Sequence, residues 1–320
     1  MRTLKSSKYN DYNYYIEEVT ILRNRRRDTH EVAIACNQNE LIAMTECLQL
    51  LNAQNLITSN DVVVITPNWV NENSAITGQV VGPESLRGLI RFVKQASPKR
   101  LVVASGSGEK ETPVIMEACG FAQVIKDEDV EFIDLNHGPF VELTLNHPVI
   151  PKTKINQLIN EMTFLISFTQ LKYHEEATMS AAIKNIGMGW PPAEEHGFPK
   201  KNTGIHKDLN GFVSAFAEQV PIDLSIVSAS PAMIGTGPSK GVARHTGIVL
   251  AGTDPVSVDT VGARLLGFKP QAVRYLFECA NKGLGNCVLD EIELRGIPII
   301  EAEKLFSQMA YGAEVCVDRD

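Results

Sequence analysis

Short apolar runs alternate with segments of helical period along much of the chain. The first runs are EVAIAC (31–36), DVVVIT (61–66) and RLVVA (100–104). They are rich in β-branched residues, and the second is apolar at nearly every position, as in a strand covered on both faces. Helices are predicted over Glu40–Leu51, Glu84–Gln95 and Thr112–Ala118. This alternation predicts an α/β fold with a mostly parallel, doubly wound sheet.

The pattern changes at about residue 130. EFIDL and FVELTL alternate apolar and polar residues, which predicts a β-rich, antiparallel insertion at about 130–150. The alternation then resumes, with predicted helix Thr153–Glu161, strand Thr163–Phe168, helix Leu209–Val220, strands Asp223–Val227 and Gly247–Ala251, and helix Pro255–Leu266. We therefore expect two linked halves, 31–129 and 163–320, after a polar lead-in at 1–30. Its Arg23–Arg27 cluster is expected to be solvated.

Composition narrows the function classes. The formal net charge of -8 over 320 residues argues against nucleic acid as a partner, although a local basic pocket could hold a small anion. Six cysteines without a C-x-x-C pair favour reduced thiols, and no intrinsic iron–sulfur cluster is expected. Without an apolar stretch of membrane length or a secretory leader, we expect a cytoplasmic protein that does not contact a membrane.

Polar residues follow the predicted strand ends, where ligands bind in open parallel sheets. Lys172 and His174 are two residues apart, so on an extended chain they point to the same side. Lys184 follows the apolar MSAAI. A lysine near apolar surface can serve as a base, an imine-forming amine or an anion clamp, and a histidine can transfer protons. We predict these three as catalytic residues; lysines that reach solvent and a hydrogen-bonded histidine are the alternative.

Two glycine-rich loops and two asparagines are candidates for cofactor binding. Successive backbone N–H groups in such loops can bind an anion, although neither loop has nucleotide-loop spacing, so a simple turn or surface loop remains the alternative. The predicted cofactor-binding residues are Asn68, Gly106, Gly108, Asn185, Gly235, Gly237 and Lys240.

Carboxylates and histidines in the sequence also predict a site for a divalent metal. The metal-ligand candidates are His174, His196, Asp254 and Asp259. Asp254 has a second interpretation as a helix N-cap before Pro255, and Asp259 as the partner of Arg264 or a lysine. His196 lies with Trp190 and His206 in a 20-residue irregular stretch, 187–206, which predicts a lid.

Several of these residues fall within short motifs. They are Leu171–His174, Thr178, Lys184–Asn185, Gly187, Gly235–Pro238 and Asp254–Asp259. In this order they resemble the DUF362 family of uncharacterised proteins. Because its members often carry ferredoxin-like modules, the resemblance implies redox or anaerobic cofactor chemistry, although this chain lacks that module's cysteines. It also has Thr66 where the family tends to have lysine. The order His174, Lys184, His196 is more distantly similar to nickel-pincer lactate racemases, which implies a cofactor on the lysine and histidines that bind nickel or move protons.

Together these features predict a cytoplasmic enzyme that binds an anionic small molecule or cofactor at the strand ends, as an oxidoreductase or isomerase of anaerobic metabolism. A carrier of a cofactor or metal, a nickel-pincer isomerase, and a non-catalytic core whose glycine loops mediate self-association are the alternatives. A small anionic ligand, a redox partner protein and a homodimer are the expected partners.

Overall fold

The computed structural model describes residues 18–19 and 23–315, which contain thirteen strands and ten α-helices. The strands are β1 (Glu18–Val19), β2 (Glu31–Cys36), β3 (Val62–Pro67), β4 (Arg100–Ser105), β5 (Glu131–Asp134), β6 (Phe140–Thr144), β7 (Lys152–Asn156), β8 (Phe164–His174), β9 (Thr178–Ser180), β10 (Leu224–Ile234), β11 (Val242–Arg244), β12 (Ile248–Gly252) and β13 (Glu293–Gly296). The helices are α1 (Glu40–Leu50), α2 (Pro83–Gln95), α3 (Thr112–Ala118), α4 (Phe121–Asp127), α5 (Ala182–Gly189), α6 (Ala193–His196), α7 (Leu209–Gln219), α8 (Pro255–Leu265), α9 (Arg274–Asn281) and α10 (Ile299–Tyr311). Within these residues, no helix is long and apolar enough to cross a membrane.

Ten strands form one sheet. Its path is β13-β2-β12-β10-β8-β3-β4-β5, with β9 paired to β8 and β11 paired to β10. Neighbours on the path pair in parallel except at β12, which is antiparallel to both β10 and β2. The predicted α/β fold with a mostly parallel sheet is therefore confirmed. Strand β2, from the first predicted half, lies between β12 and β13 of the second.

Apolar side chains fill both faces of this sheet. In β3, Val63 and Ile65 pack with helices α1 to α4, whereas Val64 faces the cluster that contains residues of α5, α7, α8, α9 and α10. This two-sided burial explains why DVVVIT is apolar at consecutive positions, because each residue meets a helix layer whichever way it points.

The region around the predicted insertion differs from expectation. The run EFID forms β5, a parallel edge strand of the main sheet. Of the strands in the region of the predicted insertion, β6 and β7 pair with each other in antiparallel fashion. With β1 they make a separate three-stranded sheet. The helix predicted over Thr153–Glu161 is wrong, because β7 and a single 3₁₀ turn occupy it. Pairing with β6 satisfies the β7 backbone and overrides the local helical spacing.

The arginine cluster near the N-terminus is also placed differently from the prediction. Three arginines dock on the edge of the sheet where the parallel strands begin. Arg23 Nη1 lies 2.5 Å from Asp223, Arg26 Nη2 lies 2.5 Å from Asp61, and Arg25 Nη1 lies 3.1 Å from Asp254. From Arg23 onward the segment therefore packs against the sheet and is not a solvated lead-in. Residues 1–17 and 20–22 lie outside the described part.

Candidate functional site

A cavity of about 550 Å³ lies beyond the carboxyl ends of four adjacent parallel strands, β10, β8, β3 and β4. The loops that follow β3, β4 and β10 form its walls, together with the last residues of β8, strand β9 and helix α5. The volume is in the range of sites that bind small molecules. This is the location that open parallel sheets use for ligands.

Strand β8 carries two of the predicted residues into this cavity. It is longer than the predicted Thr163–Phe168, because β9 and the second half of β10 supply backbone partners beyond the end of β3. Lys172 and His174 both line the cavity, as the alternation of a strand predicts. Tyr173 between them points away, and its hydroxyl donates to the Leu266 carbonyl at 2.8 Å.

Three buried lysines surround the cavity without a carboxylate partner among the described residues. Lys172, Lys184 and Lys200 are 2%, 7% and 1% exposed. The Nζ of Lys172 donates to the Gln79 carbonyl at 2.9 Å. The Nζ of Lys200 donates to the carbonyls of Gly106 and Met188. The Nζ of Lys184 has no hydrogen-bond partner within the described residues. Carbonyl oxygens accept one hydrogen bond from Lys172 and two from Lys200, and they leave the charges without an ion-pair partner.

Burial shifts the acidity of all three amines. It lowers the pKa of Lys172 to about 7, and the nearby charge of Lys184 contributes to that shift. Burial also lowers the pKa of Lys184 to about 8, opposed by the carboxylate of Glu176. The pKa of Lys200 falls to about 7 for the same reason, opposed by Asp134. Near neutral pH these lysines can therefore hold or release a proton.

His174 is neutral in this environment. Burial lowers the pKa of its imidazole to about 2, with further contributions from the charges of Lys184 and Lys172. Its Nδ1 accepts from the backbone N–H groups of Glu176 at 3.2 Å and Ala177 at 3.1 Å. The single proton of the neutral ring is therefore on Nε2. His174 can donate a hydrogen bond, but it does not become protonated near neutral pH.

Lys200 was missed from the sequence. It lies between Pro199 and Lys201 in the irregular stretch predicted as a lid, where no apolar period indicated burial. Pro199, Lys200 and Lys201 do border the cavity. Exposed Lys201 and Lys240 stand at its rim with the exposed glutamates Glu109, Glu175 and Glu176, and with His206, whose Nδ1 lies 2.7 Å from Glu176.

The loop after β4 lines the cavity but is not the predicted row of free N–H groups. The backbone N–H groups of Gly106, Ser107 and Glu109 donate to Gly189, Thr112 and Ser107. A Cβ on Gly106 would lie 2.6 Å from Asn136 Oδ1 and 2.9 Å from the Gly189 carbonyl, so glycine permits a close approach of two chain segments here. Its carbonyl accepts from Lys200, whereas a Cβ on Gly108 would meet open space.

The loop after β10 covers the end of β8. A Cβ on Gly237 would lie 1.9 Å from the Tyr173 carbonyl oxygen, so no other residue fits without a backbone shift. The Gly237 carbonyl also accepts from the Glu175 N–H at 3.0 Å. Residues Thr236 to Lys240 line the cavity, whereas Gly235 does not and instead supports the turn at a φ of 82°.

The two predicted asparagines also line the cavity. Asn185 Nδ2 donates to the Thr66 carbonyl at 3.0 Å and to Ser167 Oγ at 3.1 Å, which ties α5 to β3 and β8. The Thr66 hydroxyl accepts from Trp190 Nε1. Asn68 Nδ2 donates to the Gln79 carbonyl at 3.0 Å, the acceptor that Lys172 also uses.

Asp254 lies at the opposite edge of the sheet from the cavity. It follows β12, which runs antiparallel, so Gly252 at the end of β12 pairs with Ser225 near the start of β10. The Asp254 carboxylate caps α8 through the Val256 N–H and accepts from Arg25, and His30 Nδ1 lies 2.7 Å from it. The cap interpretation describes Asp254, and it is not among the residues that line the cavity.

Asp259 binds the first N–H groups of α5. Its carboxylate accepts from the backbone N–H groups of Ala182 at 2.8 Å and Ile183 at 3.2 Å, at the start of the helix that carries Lys184. Burial raises its pKa to about 7 in spite of these bonds. It does not pair with Arg264, which forms an ion pair with Glu303. Asp259 therefore positions α5 and does not line the cavity.

His196 is buried outside the cavity lining. Its Nε2 lies 2.8 Å from the Thr153 hydroxyl, and its Nδ1 bonds to Thr203. Both ring nitrogens are thus engaged, and His196 does not join His174 and Lys184. Among the described residues, the group that could hold a metal is Glu111, Asp134 and His137, none of which was predicted or lines the cavity.

Comparison with known proteins confirms the family resemblance of the sequence. The thylakoid-associated protein sll1697 of Synechocystis sp. (strain ATCC 27184 / PCC 6803 / Kazusa) is 24% identical over 227 residues, which cover 68% of this chain and 67% of that protein. The model of a family described as "Domain of unknown function (DUF362)" matches residues 63–264. That range includes Lys172, Lys184 and Lys200. Because the match extends over more than half of the chain, the protein belongs to the DUF362 family.

Proposed function

We propose that this protein is an enzyme that binds an anionic small molecule or an anionic cofactor in the cavity and exchanges a proton with it. The observation that carries the proposal is the burial of Lys172, Lys184 and Lys200 around one cavity, where none of them forms an ion pair with a carboxylate among the described residues.

The charge balance of the cavity favours an anion over a metal cation. Burying an unpaired ammonium costs several kcal/mol, so three such groups at one place reduce stability unless a ligand compensates them. The glutamates that border the cavity are exposed at its rim. A divalent cation would meet ammonium groups and the neutral His174, whereas a carboxylate or phosphate would meet three donors.

The hydrogen bonds divide the lysines into two roles. Lys172 and Lys200 are held by carbonyl oxygens, which suits a fixed clamp for a negative group. Lys184 has no such partner among the described residues and a pKa of about 8, which suits a group that takes and returns a proton. His174 would donate its Nε2–H to the ligand as a neutral group. This division favours an isomerase or an oxidoreductase with a proton-transfer step.

Binding of inorganic phosphate, measured by isothermal titration calorimetry, tests the proposal. We expect Lys184→Met to weaken binding at least tenfold, because a charge–charge contact in a desolvated site is lost. The matched control is Lys126→Met, which removes an equal charge from an exposed position on α4. Equal affinities for the parent and Lys184→Met would contradict the proposal.

Proton uptake on binding tests whether the cavity lysines change protonation when an anion binds. A bound anion raises the pKa of neighbouring lysines, so phosphate binding at pH 8 should take up protons from buffer. Because the lysines must be protonated to bind, affinity should be highest below pH 7 and fall as the pH rises through 7 and 8. Calorimetry in buffers of different ionisation enthalpy measures this uptake. Zero uptake would contradict a change of lysine protonation on binding, and with it the proposed proton exchange.

We also propose a cytoplasmic location. The five cysteines in the described part of the chain are all free thiols, as a reducing compartment favours. The relative named as thylakoid-associated indicates the alternative of a membrane surface. Fractionation of native cells, with this protein detected by antibody in soluble and membrane fractions, decides between them.

A further inference from the structure

We infer that the anionic group bound in this cavity is a phosphoryl group and not a carboxylate, and that Ser180 donates a hydrogen bond to it. The inference rests on the proposed function. It adds the class of ligand, a phosphate monoester, and a binding residue that the sequence did not indicate.

Ser180 lies beside Lys172 on the cavity wall. Strands β8 and β9 pair in antiparallel fashion, with Lys172 opposite Ser180. Opposite residues of such a pair point to the same side of the sheet, with their Cβ atoms about 5 Å apart. Lys172, His174 and Ser180 all line the cavity, as does Lys184 near the start of α5. Burial lowers the pKa of His174, and the charges of Lys184 and Lys172 lower it further, so these groups lie close together.

Three donor groups of this wall are free to reach a ligand. The Nζ of Lys184, the Nε2 of His174 and the hydroxyl of Ser180 have no hydrogen-bond partner among the described residues. None of these atoms is among the unpartnered side-chain atoms that are closed off from solvent. Each therefore keeps accessible surface, although the three residues are only 7%, 9% and 7% exposed. The cavity is the open space that all three of them line.

The number of free donors favours a phosphoryl group. The Lys184 ammonium offers three N–H groups, and the neutral His174 and the Ser180 hydroxyl offer one each. A carboxylate has two oxygens with about four acceptor positions, so it would leave a donor of this wall without a partner. A phosphate monoester presents three strongly accepting oxygens, one for each donor group. Because unsatisfied buried donors are costly, the wall fits the phosphoryl group better.

The charge of the wall also matches a dianion. Burial lowers the pKa of Lys172, and the charge of Lys184 lowers it further, so the two amines are neighbours. Neither charge contributes to the lowered pKa of buried Lys200, which is left for a different part of the ligand. The carboxylate of Glu176 opposes the shift of Lys184 but is bonded to His206. A phosphate monoester with a charge of about -2 compensates two ammonium groups, whereas a carboxylate compensates one.

Isothermal titration calorimetry of the full-length chain with methyl phosphate and with acetate at pH 7 tests the inference. Both probes carry one methyl group, so they differ chiefly in the anionic group. We expect the parent to bind methyl phosphate at least tenfold more tightly than acetate. Ser180→Ala should weaken the binding of methyl phosphate about tenfold and that of acetate less than about threefold, because one phosphoryl oxygen loses its donor.

Ser225→Ala is the matched control. Ser225 is also a buried strand serine whose hydroxyl has no partner among the described residues, but it does not line the cavity. This variant should keep both affinities of the parent. Ser180→Cys keeps the size of the side chain and offers only a weak donor, so it should behave as Ser180→Ala does and replaces that variant if it fails to fold.

The possible failures are distinguishable. If the parent prefers methyl phosphate by less than tenfold, the phosphoryl assignment is overturned while the anion site stands. If the preference is present but the Ser180 variants lose less than about threefold in affinity for methyl phosphate, the role of Ser180 is overturned. If the parent binds neither probe and no inorganic phosphate, the proposed function fails as well.

Discussion

Buried charges are paired at one edge of the central sheet and unpaired at the other. Where the parallel strands begin, the buried carboxylates of Asp61, Asp223 and Asp254 each meet an arginine of the 23–26 segment. Where those strands end, Lys172, Lys184 and Lys200 are buried without a carboxylate partner among the described residues. Both edges are desolvated, so the same electrostatic cost applies to each.

The difference supports the proposal that one edge stabilises the fold and the other binds a ligand. Paired and hydrogen-bonded buried charges are costly to separate, so the first edge resists change. Unpaired buried charges reduce stability, and they persist where function requires them. The unpaired lysines at the carboxyl-terminal edge are therefore consistent with the proposed ligand site.

The largest expected effect comes from breaking the paired edge. Asp223 is fully buried and accepts from Arg23, from the Arg26 N–H and from the Leu165 N–H. Asp223→Ala should lower the free energy of unfolding by about 3–5 kcal/mol, because it leaves partly buried Arg23 without a carboxylate partner and two backbone N–H groups without an acceptor. Urea denaturation measures the loss. Asp28→Ala is the control: Asp28 pairs with Arg25 but is 78% exposed, so its loss should cost under about 1 kcal/mol.

At the unpaired edge we expect a substitution to raise the free energy of unfolding. Lys184→Met keeps an unbranched chain of similar length and removes a buried charge that has no partner among the described residues. It should raise the free energy of unfolding by about 1–2 kcal/mol while it weakens anion binding. The exposed Lys126→Met should change stability by less than about 0.5 kcal/mol. A loss of stability in Lys184→Met would show that both edges stabilise the fold.

The smallest expected effect is the pH dependence of the stability gained in Lys184→Met. The pKa of Lys184 is about 8 in the folded protein and 10.5 ordinarily. Between these values the unfolded chain holds a proton that the folded protein has lost, so the parent gains stability as pH rises. The advantage of Lys184→Met should therefore be greatest below pH 8 and decline toward pH 10. Denaturant midpoints at pH 7 and pH 9.5 measure the change, and a constant difference would indicate an ordinary pKa for Lys184.

Local sequence predicted the repeating strands and helices well where both faces of the sheet are covered. The runs at 62–67 and 100–105 form β3 and β4 close to their predicted bounds, because a short, continuously apolar run is typical of a strand buried on both faces. It predicted the antiparallel strand at 140–144 correctly but failed at 131–134 and 153–161, where pairing partners determine which sheet a segment joins and whether it forms a strand at all. It also failed to indicate that β12 runs antiparallel.

That reversal changed the interpretation of the site. Asp254 follows a strand, as Asn68 and Gly106 do, but the direction of β12 places it at the paired edge. Asp259 and His196 are buried polar residues whose backbone and hydroxyl partners come from distant segments. Lys200 reaches the cavity from a stretch without period. In each case the deciding contact joins residues far apart in the chain, which spacing does not reveal.

The sequence by itself determined the α/β class, the family motifs, and the placement of Lys172 and His174 on one side of a strand, because strand alternation and apolar runs are local properties. Only the tertiary structure decided which strand ends share an edge, which buried charges meet a partner, and that Lys172, Lys184 and Lys200 surround one cavity. Those features depend on strand direction and on desolvation, and both arise only when distant segments pack together.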